Sequence, residues 1–147
     1  MSGVVPARRL LGYAWASPCT LVGLALGVAV LLAGGRAYTA AGAWEFALRP
    51  APYRSRLPFH AITLGHVILG TCPPVLAALR AHEQVHVRQY ERWGPLFFLA
   101  YPAASLWQWL RGGRPYRDNC FEVEARLQSG EEAPAPTPRK RGPTRRP

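Results

Sequence analysis

Between Arg9 and Arg36 the chain runs through LLGYAWASPCTLVGLALGVAVLLAGG without one charged side chain. About 20 apolar residues suffice for a helix to cross the roughly 30 Å hydrocarbon core of a bilayer, so residues 10–35 are expected to form an uncleaved transmembrane helix. Two other readings compete: a cleaved signal peptide, with Ala41-Gly42-Ala43 as the small-residue site, and a buried core helix. The run exceeds the roughly 7–15 apolar residues of a signal segment, and the small-residue site lies well past its end. Ser17-Pro18 marks a kink or a helix restart. Cys19 follows Ala16-Ser17-Pro18, which is not a lipobox. One span implies a single-pass protein of the cell membrane. Arg8 and Arg9 precede the span and Arg36, Arg49, Arg54 and Arg56 follow it, a lean towards a domain on the cytoplasmic side.

The whole chain is 147 residues, which excludes a multidomain assembly. A basic N-terminal segment (1–9) and the span are followed by a domain over 36–129 and a basic, Pro-rich tail over 130–147, whose composition predicts disorder. The net charge of +10 overstates the basicity of the domain, because five positive charges fall in the last nine residues; without them it is +5. Nucleic-acid binding is therefore not favoured, and the tail is at most a contact for anionic lipid. Three scattered cysteines form neither a disulfide framework nor a C-x-x-C site.

Within the domain, Trp44, Phe46 and Leu48 alternate with Glu45, Ala47 and Arg49, the period of a short strand that ends at Pro50 and Pro52. After a turn at Arg54-Ser55-Arg56, the β-branched run over 60–69 predicts a second, longer strand, and together they suggest a small antiparallel sheet. Pro73-Pro74 opens a helix and Gly94-Pro95 closes it. Val75, Leu79, His82, His86, Gln89 and Trp93 share an inward stripe, while Arg80, Gln84, Arg88 and Glu91 suit solvent. The uncharged segment 95–110 is short for a span and suits a helix at the membrane interface or on the core. Asn119 caps a last helix through Leu127.

His82-Glu83-Gln84-Val85-His86 is an H-E-x-x-H motif on the first of these helices. The i, i+4 spacing places both imidazoles on one face, one turn apart, where they can converge on one Zn²⁺. Glu83 then stands beside the first ligand as a general base for water attacking a carbonyl. Buried histidines bonded to nearby carbonyls are the structural alternative, and burying both beside a glutamate is costly without an ion or a network. Two histidines leave a tetrahedral zinc one protein ligand short. The acidic residues between the motif and the tail are Glu91, Asp118, Glu122 and Glu124; Glu91 lies on the outward face of the same helix, so the last helix is the expected source. There Glu122-Val-Glu-Ala125 resembles the E-x-x-A element of gluzincin metallopeptidases, with Glu122 as ligand and Ala125 small enough for two helices to approach. Asn119-x-x-Glu122 is also a capping-box pattern, in which the carboxylate bonds the helix start.

The runs AITLGHVILG, RAHEQVHVRQYERWGPLFFLAY and YRDNCFEVEA together resemble a family of small bacterial membrane proteins with a gluzincin-like zinc site. The resemblance implies an α+β, zincin-like fold: a small antiparallel sheet, the HExxH helix and two further helices behind an N-terminal transmembrane helix. It implies a membrane-anchored zinc metallopeptidase that cleaves a peptide or protein substrate through a zinc-activated water, with His82, His86 and Glu122 as metal ligands and Glu83 catalytic. A catalytically inactive metal-binding or scaffold protein is the alternative. Where many gluzincins carry an Asp that orients the first histidine, this chain has Arg126. His66, on a strand face with Ile62, Leu64 and Ile68, reads as a core histidine. Gly65 marks a bulge or admits a substrate strand. Tyr90 and Tyr116 are candidate oxyanion donors, and Cys120 a packed thiol.

Overall fold

A computed structural model describes residues 7–48 and 60–131; the predicted ends at Pro50 and Pro52, the Arg54-Ser55-Arg56 turn and the tail beyond 131 lie outside them. The fold is α+β. The order is α1 (Ala7–Leu32), β1 (Arg36–Ala40), β2 (Ala43–Ala47), β3 (Ala61–Leu64), β4 (Val67–Gly70), α2 (Pro73–Trp93), a 3-10 turn (Gly94–Leu96), α3 (Phe97–Leu110) and α4 (Cys120–Ser129).

The sheet corrects the sequence reading in two ways. It has four strands in the order β1-β2-β4-β3, and it is mixed: β1–β2 and β3–β4 are antiparallel, but β2 pairs with β4 in parallel. The run 60–69 is not one long strand; it folds back at Gly65-His66, with Leu64 opposite Val67. Gly65 has φ +62°, the left-handed backbone that a two-residue hairpin needs at its first loop position. The small-residue site Ala41-Gly42 is likewise a hairpin turn, with φ +50° and +82°.

The sheet is covered on both faces. Ala43, Ala47 and Ile68 on one face join Leu76 and Val87 of α2 in a core. Glu45 shares that face and is 1% exposed. Burial is tolerated because Arg80 of α2 donates to both its carboxylate oxygens, Nε at 2.7 Å and Nη2 at 2.9 Å.

The opposite face meets α1, which runs unbroken through Pro18 rather than restarting there. Its contact stripe consists of small residues: Ala16, Cys19, Gly23 and Gly27 are buried. A Cβ on Gly23 would sit 2.6 Å from Cβ of Val67, and one on Gly27 2.6 Å from the Phe46 ring, so only glycine lets the strands approach this closely. Ala16 and Cys19 also enter a second core with Tyr90, Phe97 and Phe121. The helix over Arg9–Leu32, 24 residues, is long and apolar enough to cross a membrane, and its outer face exposes Leu10, Leu11, Leu21, Val22, Leu26 and Leu32.

α4 is fixed to α3 through Asn119. Its side chain accepts from Phe121 N–H as the N-cap and donates to the Tyr101 carbonyl (3.1 Å) and Ser105 Oγ (2.8 Å). Fully buried Ala125 brings α4 close against α2.

Candidate metal centre

The i, i+4 spacing on α2 and the docking of α4 bring three expected residues together: ligand atoms of His82, His86 and Glu122 all lie within 4.8 Å of one another, and all three side chains are buried. His82 Nε2 and His86 Nε2 are 3.1 Å apart. Glu122 Oε2 lies 3.3 Å from His82 Nε2 and Oε1 lies 3.3 Å from His86 Nε2. Donor atoms bonded at about 2.0–2.1 Å to one tetrahedral ion are separated by roughly 3.3–3.4 Å; the His82–His86 separation is close to this, and each Glu122 oxygen stands at that distance from a different histidine.

The hydrogen-bond network shows which His86 nitrogen is free. Gln89 Nε2 donates to the Phe121 carbonyl (3.0 Å) and to Glu124 Oε2 (2.9 Å). Its other amide atom, Oε1, can only accept, and it lies 2.8 Å from His86 Nδ1. The proton therefore sits on Nδ1, and Nε2 turns a lone pair towards Glu122 and His82. Glu122 Oε2 is buried with ion-pair neighbours but no hydrogen-bond partner. Lone pairs converging at this distance are reconciled by a shared cation, either a proton or a metal ion, and the His₂Glu donor set suits zinc.

The charges agree with this. Burial drives the Glu122 carboxyl upward, but contacts from His82 and His86 and the Tyr101 hydroxyl outweigh it and hold the group well below the usual carboxylate range. Burial lowers His86, and Glu122 reverses this to a net rise. Glu83 is raised, chiefly by burial, against the lowering effects of Thr63, His86 and His82. Thr63 of β3 donates to Glu83 Oε2 at 2.6 Å, which anchors that carboxylate beside the histidines.

The capping-box reading of Glu122 is not realised, since its carboxylate bonds Tyr101 Oη (2.6 Å) and the histidines. Glu124 does not turn to solvent: it is half-buried, accepting from Gln89 and pairing with Arg92 at 3.6 Å. Glu91 is half-buried, its side chain 32% exposed. It pairs with His66 Nε2 at 3.1 Å and lies against Gly12 of α1. His66 sits in the hairpin turn, not on a strand face. It stacks on Tyr13 at 4.1 Å and its backbone N–H donates to Thr20 Oγ1, so it ties α1, the sheet and α2 together. Gly65 belongs to the same turn, packed against Thr20, and neither bulges a strand nor lies open to a substrate.

Tyr90 is a core residue. Tyr116 is 58% exposed as a residue, and desolvation of its hydroxyl and then Glu122 raise it, so the hydroxyl stays protonated. Cys120 is exposed, not packed. Arg126 donates through Nη2 to the Arg117 carbonyl, and its Nη1 lies 3.8 Å from Glu122 Oε2. Thr63, Gln89 and Tyr101 are site residues for which the sequence offered little signal. Only Gln89, one turn from His86 on the inward stripe, was open to notice as a possible partner. The chain matches no protein-family model, no curated protein and no solved structure.

Proposed function

We propose that the protein is a membrane-anchored zinc metallopeptidase with a zincin-like site, hydrolysing peptide bonds of a peptide or protein substrate. The observation that carries this reading is the convergence of His82 Nε2, His86 Nε2 and the orphaned Glu122 Oε2, with Glu83 one residue from the first histidine. His82, His86 and Glu122 would hold the ion. A bound Zn²⁺ supplies Lewis acidity and makes water nucleophilic at neutral pH. Glu83 takes the proton from the attacking water and returns it to the leaving amine. Burial raises its carboxyl above the ordinary carboxylate range, the direction that suits a group which must both accept and donate a proton. The Thr63 hydrogen bond limits where that carboxylate can point. Tyr101 holds one Glu122 oxygen, so the carboxylate is oriented before the ion arrives.

The membrane part of the reading rests on α1. Its outer face carries no charge from Leu10 to Leu32, while the sheet and α2 pack on its inner face between Gly12 and Gly27. In this reading lipid of the cell membrane meets the outer face of α1; the sheet and α2, packed along Gly12 to Gly27, lie at the same depth as that stretch, so the domain is not held wholly on the cytoplasmic side of a bilayer that the stretch crosses. Anionic lipid is a further partner through the basic tail.

One observation favours the second reading, a metal-binding scaffold without turnover. His82, Glu83, His86 and Glu122 are 6%, 5%, 6% and 2% exposed, which encloses the centre tightly. Metal analysis of the purified protein beside Glu83→Gln, each tested on a mixed peptide library, separates the two. Zinc in both proteins, with cleavage by the wild type alone, supports the peptidase. Zinc without cleavage by either leaves the scaffold, and no zinc in either refutes both.

A further inference from the structure

A histidine that holds a metal through one ring nitrogen needs an acceptor on the other, which fixes tautomer and ring plane. Gln89 fills that role for His86. Arg126, four residues after Glu122, cannot fill it for His82, because a guanidinium has no acceptor; it donates to the Arg117 carbonyl and lies 3.8 Å from Glu122 Oε2. What faces His82 Nδ1 is Glu131, whose Oε1 lies 3.4 Å away, an ion-pair contact short of a formed hydrogen bond.

The backbone explains how a residue beyond the last helix reaches α2. Gly130 ends α4 in the left-handed conformation, φ 77° and ψ 16°, and its N–H donates to the Arg126 carbonyl. The Glu131 N–H donates to the same carbonyl at 3.1 Å, so the chain reverses over the helix end. A straight continuation of α4 would not make this turn.

We propose that Glu131 is the positioning residue of His82, holding its Nδ1–H so that Nε2 is presented to the ion. This rests on the metal-centre reading of His82, His86 and Glu122. Each histidine then has its own acceptor from a different source, an amide on α2 for His86 and a carboxylate past the end of α4 for His82. The Glu131 side chain is 42% exposed, so the expected effect is at the lower end of the range for such partners.

The test uses the full chain in detergent, with Zn²⁺ affinity measured by competition titration and the visible spectrum recorded after loading with Co²⁺. Glu131→Ala should weaken Zn²⁺ binding about tenfold and shift the Co²⁺ bands. Glu131→Gln, which keeps an acceptor oxygen, should recover most of the affinity and the wild-type spectrum. A role confined to capping α4 would move neither readout. Glu131→Ala with wild-type affinity and bands overturns the proposal while leaving the metal centre intact. A wild-type chain that takes up neither ion overturns the metal centre, and this proposal with it.

Discussion

Replacing Gln89 by Glu tests the orientation of the whole centre, because a carboxylate would look like the better partner for a metal-ligating histidine. One oxygen can still accept from His86 Nδ1, and on that contact alone metal binding should tighten. The other end of the side chain decides against it. In place of an NH₂ that donates to the Phe121 carbonyl and to Glu124 Oε2, the variant puts an oxygen 2.9 Å from a second carboxylate. Two unit charges at that distance in an effective dielectric of about 20 repel by roughly 6 kcal/mol. The Glu124 side chain is 31% exposed and can swing towards Arg92, so solvent and that cation reduce the repulsion to about 2–3 kcal/mol. Loss of the buried donor to the Phe121 carbonyl adds about 1–3 kcal/mol. Gln89→Glu should therefore destabilise the fold by about 3–6 kcal/mol, measured by denaturant unfolding of the metal-free protein. It should also weaken Zn²⁺ binding. Adding Glu124→Gln supplies a donor to the new carboxylate and should recover most of both losses, while Glu124→Gln alone, which still accepts from Gln89, should be nearly silent. A stable Gln89→Glu that binds Zn²⁺ as tightly as wild type, or a double variant no better than the single, would refute the assigned amide orientation and the tautomer drawn from it.

Three other outcomes are expected. Glu122→Ala should lower Zn²⁺ affinity by more than the roughly 10–100-fold that loss of an outer partner costs, while Glu124→Ala should lower it only modestly by freeing the Gln89 amide; titration of both variants checks the order. Gly23→Val should destabilise the fold by about 1–3 kcal/mol or more, since its Cβ alone would meet Val67 Cβ at 2.6 Å and the Leu64 carbonyl at 2.8 Å. Val22→Ala on the outer face should cost much less, and equal effects in unfolding experiments would mean that α1 is not packed on the sheet. His86 is raised in the folded chain, so in the metal-free protein its protonated form contributes stability that is complete below about pH 6.5 and lost as pH rises through the raised value. Zn²⁺ uptake needs that proton to leave and should strengthen over the same window. In Glu122→Gln the histidine titration, followed by NMR, should move to lower pH.

The sequence alone was sufficient for features governed by local geometry. The i, i+4 spacing places His82 and His86 on one helix face whatever the rest of the chain does, because 3.6 residues per turn is a property of the backbone. Pro73-Pro74 at the start of α2, Asn119 at the cap of α4 and the uncharged run of α1 are legible for the same reason. Tertiary structure decided everything that depends on which surfaces meet. The alternation in β2 marked a strand but named no partner for Glu45; a helix lying on that face buries it, and Arg80, 35 residues away, makes the burial tolerable. The run 60–69 is rich in strand formers throughout, and its reversal at Gly65-His66 became evident only with Leu64 paired to Val67 and β4 beside β2. Glu91 read as a solvent residue until α1 and His66 covered it. At the centre, the sequence limited the third ligand to a few carboxylates. The turn of α4 against α2, allowed by Ala125, brought Glu122 to the histidines, while Tyr101, Thr63 and Gln89 fixed how the side chains point. Periodicity encodes the face on which a side chain stands, but the partner it meets there depends on long-range packing, which no local pattern carries.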